Sequence, residues 1–178
     1  TIVSWFLIAL FGSLPFIYSS SSLHFTDAFF ESVSGITTTG STVISNLDNL
    51  SEGILIWRSL LQWFGGIGII VLAIAILPTL QIGGMQLLHM EHDDPYEKTI
   101  PKINKFIIEI ASLYVSLTVL CFIFYYIFGM NAFDSLIHCM TTISTGGFSN
   151  HSLSFKYFNS YSLENISVVF MILGSLPF

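Results

Sequence analysis

The chain of 178 residues has little charge: Asp, Glu, Lys and Arg make up 9% of it, against roughly 25% in soluble domains. Five residues are basic and eleven acidic, for a formal net charge of −6. Five scattered cations form no stripe that could follow a phosphate backbone, and the acidic balance repels one, so nucleic acid is excluded as a partner. Cysteine is scarce too. Cys121 lies in an apolar run and Cys139 in a short amphiphilic one; two such residues provide no disulfide framework and identify no redox compartment.

Apolar surface takes the place of charge. Hydrophobic residues reach 53%, aromatic residues 15%, and the mean hydropathy is +0.77, which describes an all-α integral membrane protein in contact with lipid. A bilayer core of about 30 Å needs about 20 helical residues. Ser59 to Leu80 supplies 22 residues without a charge, and Ile110 to Phe133 supplies 24. The apolar stretch 1–18 has no basic flank that would make it a signal peptide and reads as a span. Ile166 to Phe178 adds 13 apolar residues, about 20 Å of helix. Both terminal segments read as incomplete, so the sequence is expected to be truncated at each end. Lys98, Lys102 and Lys105 are three of the five basic residues. They cluster between the second and third spans, which predicts a cytoplasmic connection and leaves residues 19–53 and 129–162 on the outer side.

Those two outer connections repeat each other. A shift of 107 positions lays DAFFESVSGITTTGST (27–42) over DSLIHCMTTISTGGFS (134–149), with identities at Asp27/Asp134, Ile36/Ile143, Thr38/Thr145 and Gly40/Gly147. Each copy sits between two spans, so the unit reads as span, short helix, glycine turn, span. Ten residues from Asp27 make about 15 Å of helix, half a membrane, and about five extended residues climb back. Asp27 and Asp134 are expected to cap these helices. Non-helical backbone at that depth is tolerable only where it is buried in protein or lines a watery path. Glycine at 40 and 147 permits angles that turn successive carbonyls inward, where they can replace the water shell of a cation that the helix C-terminal dipoles also favour. A single hydroxyl-rich TTTG is more often an ordinary outer loop; recurrence with the same flanking Asp and spacing argues against that.

SGITTTGSTV, then WRSLLQWFGGIGIIVLAIAILP, then TTISTGGFS closely resemble the Trk-type potassium uptake proteins of the TrkH/KtrB/HKT superfamily, over essentially the whole chain. The resemblance implies four helix, pore-loop, helix repeats around one potassium pathway. Residues 1–80 would form the first, 81–103 a cytoplasmic connecting loop, and 104–178 the second, with its last helix incomplete. It implies filter strands at Thr37 to Ser41 and Ser144 to Phe148. Gly40 and Gly147 would be the filter glycines, and the carbonyls of Thr38, Thr39, Thr145 and Gly146 would hold potassium. It also implies a multi-pass protein of the cell (inner) membrane that is not an enzyme, carries potassium as cargo and needs no organic cofactor. The expected partners are two further pore repeats, in cis or trans, a second copy in a homodimer, and a cytosolic nucleotide-binding regulatory subunit at the connecting loop. A chain holding only half of such a pore could also be a non-conducting fragment.

The remaining polar features have plainer readings. Arg58 beside Trp57 is expected to anchor at the interface in preference to lining the pore entry. GGIG at 65–68 lies inside an apolar helix without a preceding strand, so close helix packing is preferred over nucleotide binding. His89 and His92 in HMEHDD match no strong zinc spacing. An intramembrane serine protease built on Ser34 would need a histidine within a span, and none of those at 24, 89, 92, 138 and 151 lies in one.

Overall fold

The structure, a computed structural model, describes residues 2–19, 22–76 and 96–176, and these are helical apart from turns and loops. The first unit comprises α1 (Ile2–Gly12), α2 (Leu14–Tyr18), the short helix α3 (Phe25–Ile36), a 3-10 turn at Leu47–Asn49 and the long α4 (Glu52–Ile76). The second comprises α5 (Tyr96–Ile127), the short α6 (Ala132–Ile143), a 3-10 turn at Ser154–Phe158 and α7 (Tyr161–Ser175). Helices α3 and α6 have 12 residues each, and their ends fall in the 107-residue register of the sequence repeat. Twelve residues rise about 18 Å, too short to cross a bilayer and long enough to enter one.

Helices α4 and α5 are long and apolar enough to span, over Glu52–Leu72 and Ile107–Ile127. The side chains of Ile108, Val119, Ile123 and Ile127 face outward from α5, as a lipid-contacting surface requires. Pro15, which has no N–H to donate, breaks the first apolar segment between α1 and α2. The Gly12 carbonyl beside the break accepts a 2.9 Å hydrogen bond from Trp57 Nε1 of α4.

Several boundaries differ from the sequence expectation. Helix α4 starts at Glu52, seven residues before the charge-free window, because Arg58 within it is neutralised by Glu31 of α3. Helix α5 ends at Ile127, short of Phe133, since Gly129 reverses the chain at φ +110° and the following residues start α6. It begins at Tyr96, inside the stretch read as a connecting loop; residues 77–95, with His89 and His92, lie outside the described residues. Neither Asp27 nor Asp134 is an N-cap. The caps are His24 and Asn131, and both aspartates occupy the third helical position. Asn131 Oδ1 accepts from the Asp134 N–H at 2.8 Å, and its Nδ2 donates to Asp134 Oδ2 at 2.9 Å. The aspartate thus favours the helix N-terminus as an anion in the first turn.

Each short helix is pressed through glycine against the helix that follows it in its own unit. A Cβ on Gly65 of α4 would strike the Ile36 carbonyl, and one on Gly174 of α7 would lie 2.5 Å from the Ile143 carbonyl. Ile36 and Ile143 end α3 and α6, so the same close approach fixes both helix C-termini. GGIG at 65–68 accordingly packs helices, with Gly66 against Tyr114 and Ser144 and Gly68 against Trp5. Tyr114, Cys121 and Tyr125 of α5 pack with Cys139 and Ile143 of α6 and Phe170 of α7 in the second core; Phe16, Ala28, Ile54 and Leu61 form the first.

Candidate functional site

At the end of α3 the N–H of Thr38 bonds to the Gly35 carbonyl and that of Thr39 to the Ser34 carbonyl, both at 2.9 Å. This paired pattern is a Schellman turn, which needs a left-handed residue after the helix. That residue is Thr38, at φ +55°. The second unit repeats the turn: Thr145 N–H bonds to Thr142 at 3.0 Å, Gly146 N–H to Thr141 at 2.9 Å, and Thr145 sits at φ +52°. A β-branched residue in this region is strained by about 1–3 kcal/mol and persists only where its surroundings over-determine it. Two positions further on, Gly40 and Gly147 take φ +78° and +81°. Two backbone excursions in the same order make each strand Thr37 to Ser41 and Ser144 to Phe148 an irregular ribbon.

These ribbons separate two cavities. On one side Thr38 and Thr145 join Gly66, Ile69, Ile70, Tyr114 and the helix-terminal Ile143. On the other, Gly40 and Gly147 join Thr42, Arg58, Phe148 and Ser149. The C-terminal end of α6, with its negative dipole, therefore faces the first cavity. Thr37, Thr39, Ser41, Thr145 and Gly147 are exposed, Thr38 and Gly40 are half-buried, and Ser144, Gly146 and Phe148 are buried. The ribbons approach each other closely, since a Cβ on Gly40 would strike the Gly146 carbonyl. A Cβ on Gly147 would meet nothing within 4 Å, so glycine there answers to the backbone angle alone.

Buried polar side chains hold the ribbons in place. Glu31 of α3 turns toward its own ribbon: its Oε1 accepts from Thr42 Oγ1 at 2.5 Å, Val43 N at 2.6 Å and Ile44 N at 3.3 Å. Ser34 Oγ donates to the Ser41 carbonyl at 2.6 Å, a bond that ties the ribbon back to α3. Arg58 is 1% exposed. It is therefore not an exposed interfacial anchor but a buried residue in the wall of the cavity on the Gly40 and Gly147 side. Its Nη2 donates to Thr42 Oγ1 and its Nη1 to the Ser149 carbonyl, both at 3.1 Å, and its guanidinium lies 4.2 Å from the centre of the Phe148 ring. Gln62, one turn along α4, donates from Nε2 to the Gly146 carbonyl at 2.9 Å and accepts at Oε1 from the Phe148 N–H at 3.1 Å.

The loops beyond the ribbons are tied as well. Asp48 Oδ1 lies 3.0 Å from His151 Nδ1, and Asp48 Oδ2 accepts from the Ser152 N–H at 3.3 Å. Hydrogen bonds from Ser152 and then His151 hold the exposed Asp48 carboxyl down at about 2. Asp134 Oδ1 accepts from Asn150 Nδ2 at 2.5 Å and lies 3.2 Å from His151 Nε2. Sequence reasoning did not single out Glu31, Gln62, Asn150 or His151. Glu31 and Gln62 carried one usable signal, a polar side chain in a segment otherwise fit for the membrane interior.

A family model for TrkH, a cation transport protein, matches residues 1–178. The Trk system potassium uptake protein TrkI of Halomonas elongata is 44% identical over 179 residues, with 100% of this chain and 36% of that protein covered. TrkH of Vibrio parahaemolyticus is 46% identical over 180 residues, covering 99% of this chain and 37% of that one. TrkH of Escherichia coli is 46% identical over 176 residues, covering 97% and 36%. The crystal structure of the potassium transporter TrkH from Vibrio parahaemolyticus superposes with a TM-score of 0.83 at 43% identity, covering 97% of this chain and 34% of that chain. This chain thus spans little more than a third of the length of these relatives.

Proposed function

Since this chain belongs to the TrkH family of cation transport proteins, we propose that its two ribbons are two of the four walls of a potassium filter in the cell (inner) membrane. The observation that carries the reading is the duplicated backbone: Thr38 with Gly40 and Thr145 with Gly147, all at positive φ, each at the end of a 12-residue helix and between two cavities. A filter works by exchanging water oxygens for carbonyl oxygens around the ion, with no covalent chemistry. In this reading the carbonyls of Thr38, Thr39, Thr145 and Gly146 receive the potassium, flanked by Thr37, Gly40, Ser41, Ser144, Gly147 and Phe148. Gly146 has a protein donor in Gln62, and a carbonyl oxygen has a second lone pair to offer an ion. The C-terminal dipoles of α3 and α6 add to the attraction.

The rest of the assembly follows from what two walls leave open. Two more repeats, in cis or in trans, close the ring, and the pore pairs with a second copy. The segment between α4 and α5 faces the cytosol and meets a nucleotide-binding regulatory subunit. The test is rubidium uptake in a potassium-transport-deficient host by a complete pore whose first two repeats are this chain. Uptake that is saturable and suppressed far more by potassium than by sodium is expected; uptake indifferent to the two ions overturns the reading.

A further inference from the structure

We propose that Gln62 is a positioning residue for ion selectivity, acting from the first repeat on the filter strand of the second. The proposal rests on the filter reading above. The Gln62 amide engages the Gly146 carbonyl and the Phe148 N–H together. These are the groups on either side of Gly147, a glycine at φ +81° with open space around its Cα. Glycine there permits the turn but does not hold it, since glycine occupies both signs of φ with similar ease. No side chain within the strand can therefore set the two peptide planes that meet at Gly147. Gln62 can, because a primary amide carries a donor and an acceptor in fixed relation.

The fit is tight. Gln62 is 0% exposed, and a Cβ on Gly146 would collide with its amide. Arg58, one turn away, bonds to the Ser149 carbonyl and lies against Phe148. Helix α4 thus contacts Gly146, Phe148 and Ser149, on both sides of Gly147. Aligning Gly65 with Gly174 places Met171 at the position corresponding to Gln62, so the second unit lacks this amide. Among the described residues the first strand is tied to its own short helix by Ser34 at the Ser41 carbonyl, and Glu31 holds the residues just beyond it. Met171 has no amide to offer a neighbouring strand, so selectivity is expected to depend on Gln62 and not on Met171.

The experiment uses a complete pore with this chain as its first two repeats and measures rubidium uptake, its inhibition by potassium and by sodium, and the amount of protein in the membrane. Gln62→Met keeps the volume and removes both bonds. Gln62→Asn keeps an amide suited to the same environment but is one methylene too short to reach both groups. Each is expected to lower the preference for potassium over sodium about tenfold with membrane levels unchanged, whereas Met171→Leu leaves the preference intact. A residue needed only for folding would lower the uptake of both ions together, in proportion to the protein present. Membrane-inserted Gln62→Asn or Gln62→Met with the unmutated preference overturns the proposal. If the unmutated pore itself shows no preference, the filter reading has failed instead.

Discussion

The Arg58 guanidinium lies 3.4 Å from the Glu31 carboxylate, and the two side chains are 2% and 0% exposed. Glu31 belongs to the short helix of the first unit and Arg58 to its long helix, while Arg58 also reaches Ser149 in the second. The pair therefore joins the segments that follow the two ribbons, at Thr42 to Ile44 and at Ser149. Taking two charges out of water is costly, and the cost is offset here by hydrogen bonds to Thr42, Val43, Ile44 and Ser149.

Removing one partner leaves an uncompensated buried charge. Arg58→Met or Glu31→Gln in a complete pore is expected to lower stability by about 3–5 kcal/mol, and the double substitution is expected to cost less than the sum of the two. Chemical unfolding of the purified protein measures this. Strict additivity would show that the charges do not depend on each other.

Gly40 and Gly147 share a backbone angle but not a neighbourhood. Alanine at 147 meets only the left-handed strain of about 1–2 kcal/mol, whereas alanine at 40 also drives into the Gly146 carbonyl. Gly40→Ala is expected to reduce potassium preference markedly more than Gly147→Ala. Equal losses in the rubidium assay would contradict the close approach of the ribbons.

The tie between the outer loops responds to acid. The Asp48 carboxyl is lowered from 3.8 to about 2 by its bonds to Ser152 and His151. Folding and ionisation therefore favour each other, so the contribution is fully present above about pH 4 and is lost as the pH falls toward 2. Fluorophores at Ser45 and Leu153 should move apart over that window, and Asp48→Asn should abolish the pH dependence. A distance that does not change with pH would remove the carboxylate from this role.

We propose that both ribbons open to the outer face of the membrane, because the lysine cluster at 98–105 marks the opposite side as cytoplasmic. Asn46 and Leu153 are exposed, whereas Asn150 is buried against Asp134. Single cysteines at Asn46 and Leu153 should react with an impermeant reagent from outside. Reaction of either only from the cytosolic side would invert the topology.

In the proposed four-walled filter the two ribbons supply half of the ring, and Thr37, Thr39, Ser41, Thr145 and Gly147 are exposed. Backbone groups left unsatisfied in hydrocarbon cost several kcal/mol each. The 178-residue chain alone is expected to give no rubidium uptake, with flux restored when the other two repeats are supplied. Selective flux from a purified, crosslink-verified monomer would refute the half-pore arrangement.

Much of this protein was legible in its sequence because the signals are local. Lipid selects long apolar runs, and a repeat that preserves spacing marks Ile36/Ile143, Thr38/Thr145 and Gly40/Gly147 wherever the chain goes. The structure kept that register to the residue in α3 and α6. Helix ends were less visible: the cap is Asn131 and not Asp134, because an aspartate in the third position favours the helix start as well as one at the cap. Only tertiary structure could decide what Arg58, Glu31 and Gln62 do. A charge in an apolar helix reads as an anchor at the surface until its partner is known. The partners here stand 27 residues apart for Arg58 and Glu31 and 84 apart for Gln62 and Gly146. No periodicity or composition encodes such pairings. They are set by desolvation, since a polar group inside the membrane must find its complement in whichever segment the packing brings within about 3 Å.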